Sequence, residues 1–469
     1  MKEYKVGVVG ATGMVGQRFV SLLENHPWFR LAALAASPRS AGKTYEEAVG
    51  ARWVMPTPMP GEAKKMVVMD AADVAAVAAK VDFVFCAVDM KKDEIKALEE
   101  AYAKAECPVV SNNSAHRFTP DVPMVVPEIN AEHIEVISAQ RARLGTKRGF
   151  IAVKSNCSLQ SYVPALHPLM RDYGVSKCLV CTYQAISGAG KTFETWPEMV
   201  DNCIPYIGGE EEKSEKEPLK LWGHIENGQI VPADKPSITA QCLRVACSDG
   251  HMAAVFVSFD KKPTMDEIKE KWAAFSGPAQ ELKLPSAPKQ FLHYFEEADR
   301  PQTKLDRNLE NGMAVSIGRL RPDTQYDYKF VCLSHNTLRG AAGGAVLLAE
   351  LLARGFLRKA GGSIKPNFCV LTREQVQRLR QEVFLPIVEA VQPAWTRVCN
   401  ELRTLCKASV PKHLQALADL PLHMAALAAG YMTEQIAYAY GALEKPETPE
   451  DAAMWTLVYE PEIKVTPHK

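Results

Sequence analysis

Residues 5–16 read KVGVVGATGMVG, and this stretch decides the fold. Lys5–Val9 is a short apolar run, and Gly10, Gly13 and Gly16 follow it at three-residue spacing. Helical periodicity then begins over Gln17–Glu24. A strand, a tight glycine turn and a helix start let backbone N–H groups approach a pyrophosphate at the positive end of the helix. The glycine pattern alone is weak. Placed directly between a strand and a helix, it points to a dinucleotide-binding domain.

Working outward, Leu31–Ala36 is a second strand. An NAD site would place Asp or Glu at its end, against the ribose 2′-hydroxyl. Here the end is Ser37, Pro38, Arg39, Ser40 and, a little further, Lys43, so hydroxyls and cations replace the acid. That set suits a 2′-phosphate, and NADP is expected over NAD. Pro56, Pro58 and Pro60 make an irregular loop. Val81–Val88 reads as a buried strand, Asp93–Ala105 as a helix and Pro108–Ser111 as a strand. This alternation, continuing to residue 155, predicts a parallel, doubly wound sheet. The polar loop after Ser111 contains Asn113, Ser114 and Arg117. It falls in the crevice where such sheets bind ligands, and an arginine there can clamp a phosphate or carboxylate bidentately.

The last strand of this half leads into Ser155-Asn156-Cys157-Ser158, with a helix-like segment behind it. A cysteine at a strand-to-helix junction sits beside free N–H groups and a positive helix end, which favour the thiolate. Beyond it the periodicity changes. Cys178–Gln184, Met252–Phe259 and Lys329–Ser334 read as strands separated by long polar insertions, so a second, more antiparallel α+β domain is expected. Cys178 and Cys181 have CxxC spacing, but in a strand they face opposite sides, and no metal site is expected.

Four features of the second half can carry chemistry. Gln184 and the Ser187-Gly188 segment close a strand, where an amide and glycine-freed backbone can orient a carbonyl. Glu210 and Lys213 are three apart and share a helical face. Arg244 and His251 flank a turn, and histidine is the natural acid/base partner of a cysteine nucleophile. Asn336 precedes Gly340, Gly343 and Gly344, a glycine-rich start to the apolar helix Val346–Leu352.

Composition narrows the classes. Of 469 residues, 47% are apolar and 23% charged, as in a soluble globular protein of two or three domains. Fifty-five basic residues balance 55 acidic ones, so no global charge favours nucleic acid or a membrane surface. No apolar run reaches the roughly 18 residues of a membrane helix. The chain opens straight into a strand-like run without a signal peptide, and its 12 cysteines read as reduced thiols in a cytoplasm.

Together GVVGATGMVGQRF, NNSAHRFTPDVPMVVPEIN, SNCSLQ, QAISGAG, GEEEKSEKE, LRVACSDGH, GRLRPD and YKFVCLSHNTLRGAAGGAVLLAEL resemble, in order over residues 4–353, the aspartate-β-semialdehyde dehydrogenase family, in its archaeal and fungal branch. The resemblance implies that Cys157 is the nucleophile, His251 the general acid/base and Gln184 the group that orients substrate and thiohemiacetal. It implies that Arg244 holds the α-carboxylate and Glu210 the amino group. Lys213 and Arg117, with Asn113 and Ser114, would lie near the phosphate, and Asn156 beside Cys157. Gly10, Thr12, Gly13, Met14, Val15, Ser37, Arg39, Ser40, Ser187, Gly188 and Asn336 would meet NADP.

It also implies three parts. Residues 1–156 form a Rossmann domain completed by helix 340–356. Residues 157–339 form a catalytic and dimerisation domain, giving a homodimer or homotetramer that takes a small-molecule substrate and phosphate. Residues 357–469 exceed the family pattern. Pro366, a capping box at Thr372–Gln375 and spaced prolines suggest an α-helical appendage for assembly or partner binding. Two rivals share the framework. A malonyl-CoA reductase or an N-acetyl-glutamyl-phosphate reductase would have no ammonium to match Glu210. A non-catalytic NADP-binding scaffold would have no use for Cys157, Gln184, Arg244 and His251.

Overall fold

The computed structural model describes residues 3–354; the expected helical appendage at 357–469 lies outside the described residues. The glycine turn forms as its sequence requires. β1 (Tyr4–Val9) ends at Gly10, and α1 (Met14–Leu23) begins four residues later. Gly10 has φ +89°, and a Cβ there would stand 2.3 Å from the carbonyl oxygen of Ala87. Only glycine takes that backbone without strain or collision.

β1, β2 (Phe29–Ala36), β3 (Met69–Asp70), β4 (Phe83–Cys86), β5 (Val109–Ser111) and β6 (Ile151–Val153) form one sheet in the order β3-β2-β1-β4-β5-β6. Every pairing is parallel, with the order reversing beside β1. This is the doubly wound arrangement, and its ligand crevice lies at the strand ends next to the glycine turn. Val6, Val8, Val84, Phe85 and Val109 are wholly buried, as strands covered on both faces must be.

α2 (Lys92–Lys104) is one cover. Another, α5 (Gly343–Ala353), comes from the far end of the described chain. It packs on α1 and β5, and the Tyr4 hydroxyl donates to the Ala353 carbonyl at 3.0 Å.

A second sheet holds β7 (Val175–Gln184), β8 (Cys203–Ile204), β11 (Ser237–Val245), β12 (His251–Phe259), β13 (Leu292–Phe295), β14 (Val315–Pro322) and β15 (Tyr328–Ser334). A separate hairpin joins β9 (His224–Glu226) to β10 (Gln229–Val231). The seven-stranded order is β13-β14-β15-β12-β7-β11-β8. It is mixed, with β7–β11 and β13–β14 parallel and the other pairings antiparallel. Burial alternates along β7 and β12, so one face is covered and the other half-buried.

α3 (Leu159–Tyr173) covers the buried face. It carries Pro164 and Pro168 in its interior, which costs backbone hydrogen bonds. Leu159, Tyr162, Val163, Leu166 and Leu169 are buried along it, and that packing outweighs the proline cost. α4 (Glu210–Leu221) lies against β11. Its Lys220 ammonium donates to the carbonyls of Arg117, Thr119 and Val122 at 2.7–2.9 Å, tying the loop after β5 to the second half.

Candidate active site

Cys157 stands between β6 and α3, partly exposed, as its place in the sequence predicts. Its neighbour Asn156 fixes the turn. The Asn156 Oδ1 accepts from the N–H and the hydroxyl of Ser158, and its backbone N–H donates to Glu217 Oε2 at 2.6 Å. The Asn156 amide nitrogen donates to both oxygens of Glu210, at 2.9 and 3.1 Å.

Glu210 is a hub. It also accepts from Gln184 Nε2 at 3.3 Å and from Lys213 Nζ at 2.6 Å. Burial alone would raise its carboxyl. The Lys213 ammonium and the three donors outweigh burial and hold it below the usual carboxylate range. It is therefore an anion beside the thiol. One helical turn places Glu210 and Lys213 together, as the spacing of three predicts.

Arg244 ends β11 and His251 begins β12, but the two strands do not form a hairpin. β7 lies between them and pairs with both. The Gln184–Gly188 segment after β7 therefore runs between the two side chains. Arg244 Nη1 donates to the Ala185 carbonyl at 2.8 Å, and the Ala185 N–H donates to His251 Nδ1 at 3.1 Å. A Cβ on Gly188 would lie 2.9 Å from both Arg244 Nη1 and His251 Nε2. Glycine at 188 keeps that space open. Asn336 closes the arrangement: its amide donates to the Ser187 hydroxyl and its Oδ1 accepts from the Gly250 N–H, both at 2.8 Å.

His251 is wholly buried and its Nε2 has no hydrogen-bond partner among the described residues. Burial first, then the Arg244 guanidinium, push its pKa well below the ordinary histidine value. The ring is accordingly neutral in this state at neutral pH. Titration of the His251 ring by NMR should find it still unprotonated where an ordinary histidine is already charged. Arg244→Met should move that titration upward, because one repelling cation is gone. A His251 ring that titrates in the ordinary range, unmoved by Arg244→Met, would contradict this electrostatic picture.

The thiol departs from expectation. Its position was expected to favour thiolate, yet the Cys157 pKa is raised. Burial is the largest cause and the Glu210 carboxylate the second; Lys154, Arg117 and Arg244 pull it down. The helix end does not overcome desolvation and a neighbouring anion.

Other expected site residues are placed as follows. Arg117 is buried and committed inward, with Nη1 on Glu217 Oε1 at 2.9 Å, Nε on the Lys154 carbonyl and Nη2 on the Asn112 carbonyl. The Asn113 amide donates to the buried Glu99 at 3.0 Å, and Ser114 is half-buried. Ser37 and Arg39 are exposed beyond β2, whereas Ser40 is buried. Thr12, Met14 and Val15 are half-buried and Gly13 exposed.

The residues fit NADP. The first turn of α1 has no side-chain cap, Gly10 leaves the backbone bare, and Arg39 rather than an acid stands at the end of β2. α1 also contacts the turn 338–342, whose Gly340 abuts Cys157, which brings the glycine turn towards the thiol. Among the described residues no cluster of His, Cys, Asp or Glu can hold a metal, and Cys178 and Cys181 stay apart as core and half-buried thiols.

Residues 5–137 match the family described as semialdehyde dehydrogenase, NAD binding domain, and residues 166–339 match semialdehyde dehydrogenase, dimerisation domain. The aspartate-semialdehyde dehydrogenase of Archaeoglobus fulgidus is 44% identical over 354 residues, 75% of this chain and 98% of that protein. The chain belongs to the aspartate-semialdehyde dehydrogenase family. The Schizosaccharomyces pombe member is 43% identical over 75% of this chain and 98% of its own length. Among solved structures, the Candida albicans family member with NADP aligns at TM-score 0.68 with 38% identity, covering 75% of this chain and 99% of that one. The Vibrio cholerae family member complexed with ASA aligns at TM-score 0.58 with 25% identity, covering 76% and 99%.

Three residues at this family site escaped the sequence reading. Glu217 holds both the Asn156 N–H and Arg117; it stands two helical turns from Glu210, a spacing that could have revealed it. Lys154 and Lys220 lie in polar-looking stretches and are nevertheless buried.

Proposed function

We propose that the chain is an NADP-dependent aspartate-semialdehyde dehydrogenase that reduces L-aspartyl-4-phosphate to L-aspartate 4-semialdehyde and releases inorganic phosphate. The observation that carries this reading is the convergence of Cys157, Gln184, Glu210, Arg244 and His251 around one mouth. An anion and a cation flank the thiol, which suits a zwitterionic amino acid. The rival malonyl-CoA reductase and N-acetylated substrates would leave Glu210 without an ammonium to meet.

In this account the Cys157 thiolate attacks the acyl carbon. The carbon–oxygen bond to phosphate breaks, phosphate departs, and a thioester remains on Sγ. Glu210 binds the substrate ammonium, and that charge cancels the anion that raises the thiol. Arg244 holds the α-carboxylate, while Gln184 orients the reacting carbonyl. The glycine turn, Ser37, Arg39 and Ser40, with Ser187, Gly188 and Asn336, would hold NADPH, which when bound would supply the hydride that reduces the thioester. His251 Nε2 hands a proton to, and takes it from, the oxygen of the thiohemiacetal. Collapse of that adduct breaks the carbon–sulfur bond, frees the aldehyde and restores the thiolate. Lys213, Arg117, Asn113 and Ser114 belong to the phosphate end in this reading.

Glu210→Gln keeps the shape and removes the charge. The Michaelis constant for aspartate semialdehyde should rise about 10- to 150-fold, the scale of one hydrogen bond to a charged group. Affinity for NADP should stay as it is. Steady-state kinetics with both substrates check this; an unchanged Michaelis constant would remove Glu210 from substrate recognition.

The same proposal assigns NADP binding to residues 1–156 with α5, expected over 340–356 and formed over Gly343–Ala353, and chemistry and self-association to residues 157–339. The half-buried face of the second sheet would be covered in a homo-oligomer, either a dimer or a tetramer, which light scattering distinguishes. A cytoplasmic location is part of it; among the described residues no helix is long and apolar enough to cross a membrane.

A further inference from the structure

Lys154 is a buried lysine for which the mechanism above has no use. It follows β6 directly, three residues before Cys157, and only 2% of its surface is exposed. Burying an amine is costly, so its surroundings deserve an accounting. Its backbone is fixed: the N–H donates to the Ser111 carbonyl at 3.0 Å, and the carbonyl accepts from Arg117 Nε at 3.0 Å. Its ammonium donates to the Ser155 carbonyl, in the peptide leading into Asn156-Cys157.

Lys154 and Cys157 both adjoin the glycine-rich segment 340–344. A Cβ on Gly340 would come 3.0 Å from Cys157 Cβ, and one on Gly344 would come 3.6 Å from Lys154 Cδ. Gly340 lies in the turn before α5 and Gly344 in its first turn, so glycine-bared backbone of one segment adjoins both the thiol carbon and the lysine stem.

The charges around them single out Lys154. The groups facing it are Arg117 from the loop after β5, Glu217 from α4, Arg339 from the turn before α5, and Cys157 itself. Arg117 is neutralised by Glu217 at 2.9 Å, and Arg339 by Glu128 at 2.5 Å. Glu217 spends its other oxygen on the Asn156 N–H. Lys154 forms no ion pair with a carboxylate among the described residues, so Cys157 is the group left to become its anion. Around the thiol, Glu210 opposes ionisation, and Lys154 is first among the cations that favour it, ahead of Arg117 and Arg244.

We propose that Lys154 is a positioning residue for the nucleophile: its buried ammonium, held on the Ser155 carbonyl at the turn that leads into Cys157, is the counter-charge of the catalytic thiolate. This deepens the reading of Cys157 as the nucleophile and rests on it. Burial and Arg117 bring the Lys154 pKa down to about 7, while the Cys157 thiolate and Glu217 raise it. The ammonium is thus sustained when the thiolate forms and is weakly held when it does not. The thioester removes the anion, so the two groups change charge together.

The test reads the thiolate rather than turnover. Alkylation of Cys157 by iodoacetamide, followed by peptide mass across a pH series, gives the midpoint of thiolate formation. Lys154→Met, which keeps the stem against Gly344, should move that midpoint up by one pH unit or more. At neutral pH the alkylation rate should then fall about tenfold, since one unit is a factor of ten in thiolate fraction. NADP binding and thermal unfolding report that the variant is folded. An unmoved midpoint in folded Lys154→Met overturns the proposal. Should that variant not fold, Lys154→Gln is read the same way. On the protein with Lys154 in place, the 240 nm thiolate absorbance lost in Cys157→Ala gives the midpoint directly; it should lie below the midpoint of Lys154→Met, and equal midpoints also overturn the proposal. Because alkylation is read at Cys157 by mass, its pH shift is separate from whether Cys157 is needed for turnover, which Cys157→Ala decides.

Discussion

Cys157→Ala should lower phosphate-dependent oxidation of aspartate semialdehyde by roughly 10⁴-fold or more, the scale on which enzymes lose activity with their nucleophile. The physical reason is local. The thiol, at the strand-to-helix turn, lies in the fields of the Glu210 carboxylate and the Arg244 guanidinium, and the Gln184 amide is held on that carboxylate. Without it no thiohemiacetal forms to give up hydride, and no thioester exists for phosphate to cleave to the acyl phosphate. The substitution removes one sulfur from a partly exposed position, so folding should be little affected. NADP affinity should be kept, because the glycine turn belongs to the other sheet. Retention of more than a hundredth of the activity, in protein freed of unmodified chain, would exclude covalent catalysis at this residue.

The second large effect concerns stability. Arg339 grips Glu128 with two parallel bonds, Nη1 to Oε1 at 2.7 Å and Nη2 to Oε2 at 2.5 Å. Its Nε donates to Gln160 at 3.0 Å, and its guanidinium lies 4.3 Å from the centre of the Phe291 ring. The exposures are 1% and 0%, so water screens neither charge. The pair joins the loop after β5 to the turn that carries Gly340 against Cys157. Arg339→Met leaves Glu128 buried without its partner, which should cost about 3–5 kcal/mol. The denaturant midpoint should fall accordingly. Removing the second charge, in Glu128→Gln with Arg339→Met, should restore part of the loss, because the uncompensated charge is the larger cost. A single-variant loss below about 1 kcal/mol would place the pair with ordinary surface ion pairs.

The first sheet was legible because each of its signals is local. Val-rich runs end at glycine or proline, and the turn at Gly10 needs a backbone only glycine adopts. The chain order of strands and helices then leaves few topologies. The second sheet was legible as strands, and its pairing was not. Arg244 and His251 look like the two arms of a turn, yet β7 enters between them by contacts some sixty residues away in sequence. Those contacts place the Gln184–Gly188 segment between the two side chains, and no spacing rule encodes them.

α3 is the opposite case. Pro164 and Pro168 argue against a helix, and burial of a whole apolar face decides for one. At the site, residue types told the chemistry while charge state depended on depth. Glu217, Lys154 and Lys220 escaped the reading because sequence does not report burial. Cys157 read as a ready thiolate because the opposing Glu210 carboxylate arrives from a helix more than fifty residues downstream.

The central claim is tested most directly by incubating the full chain with aspartate semialdehyde, NADP and inorganic phosphate and following NADPH formation. A parallel reaction supplies malonate semialdehyde with CoA. NADPH should form in the first reaction only when phosphate is present, and the second should stay at background. Absence of phosphate-dependent turnover with aspartate semialdehyde, or preference for the CoA reaction, would contradict it.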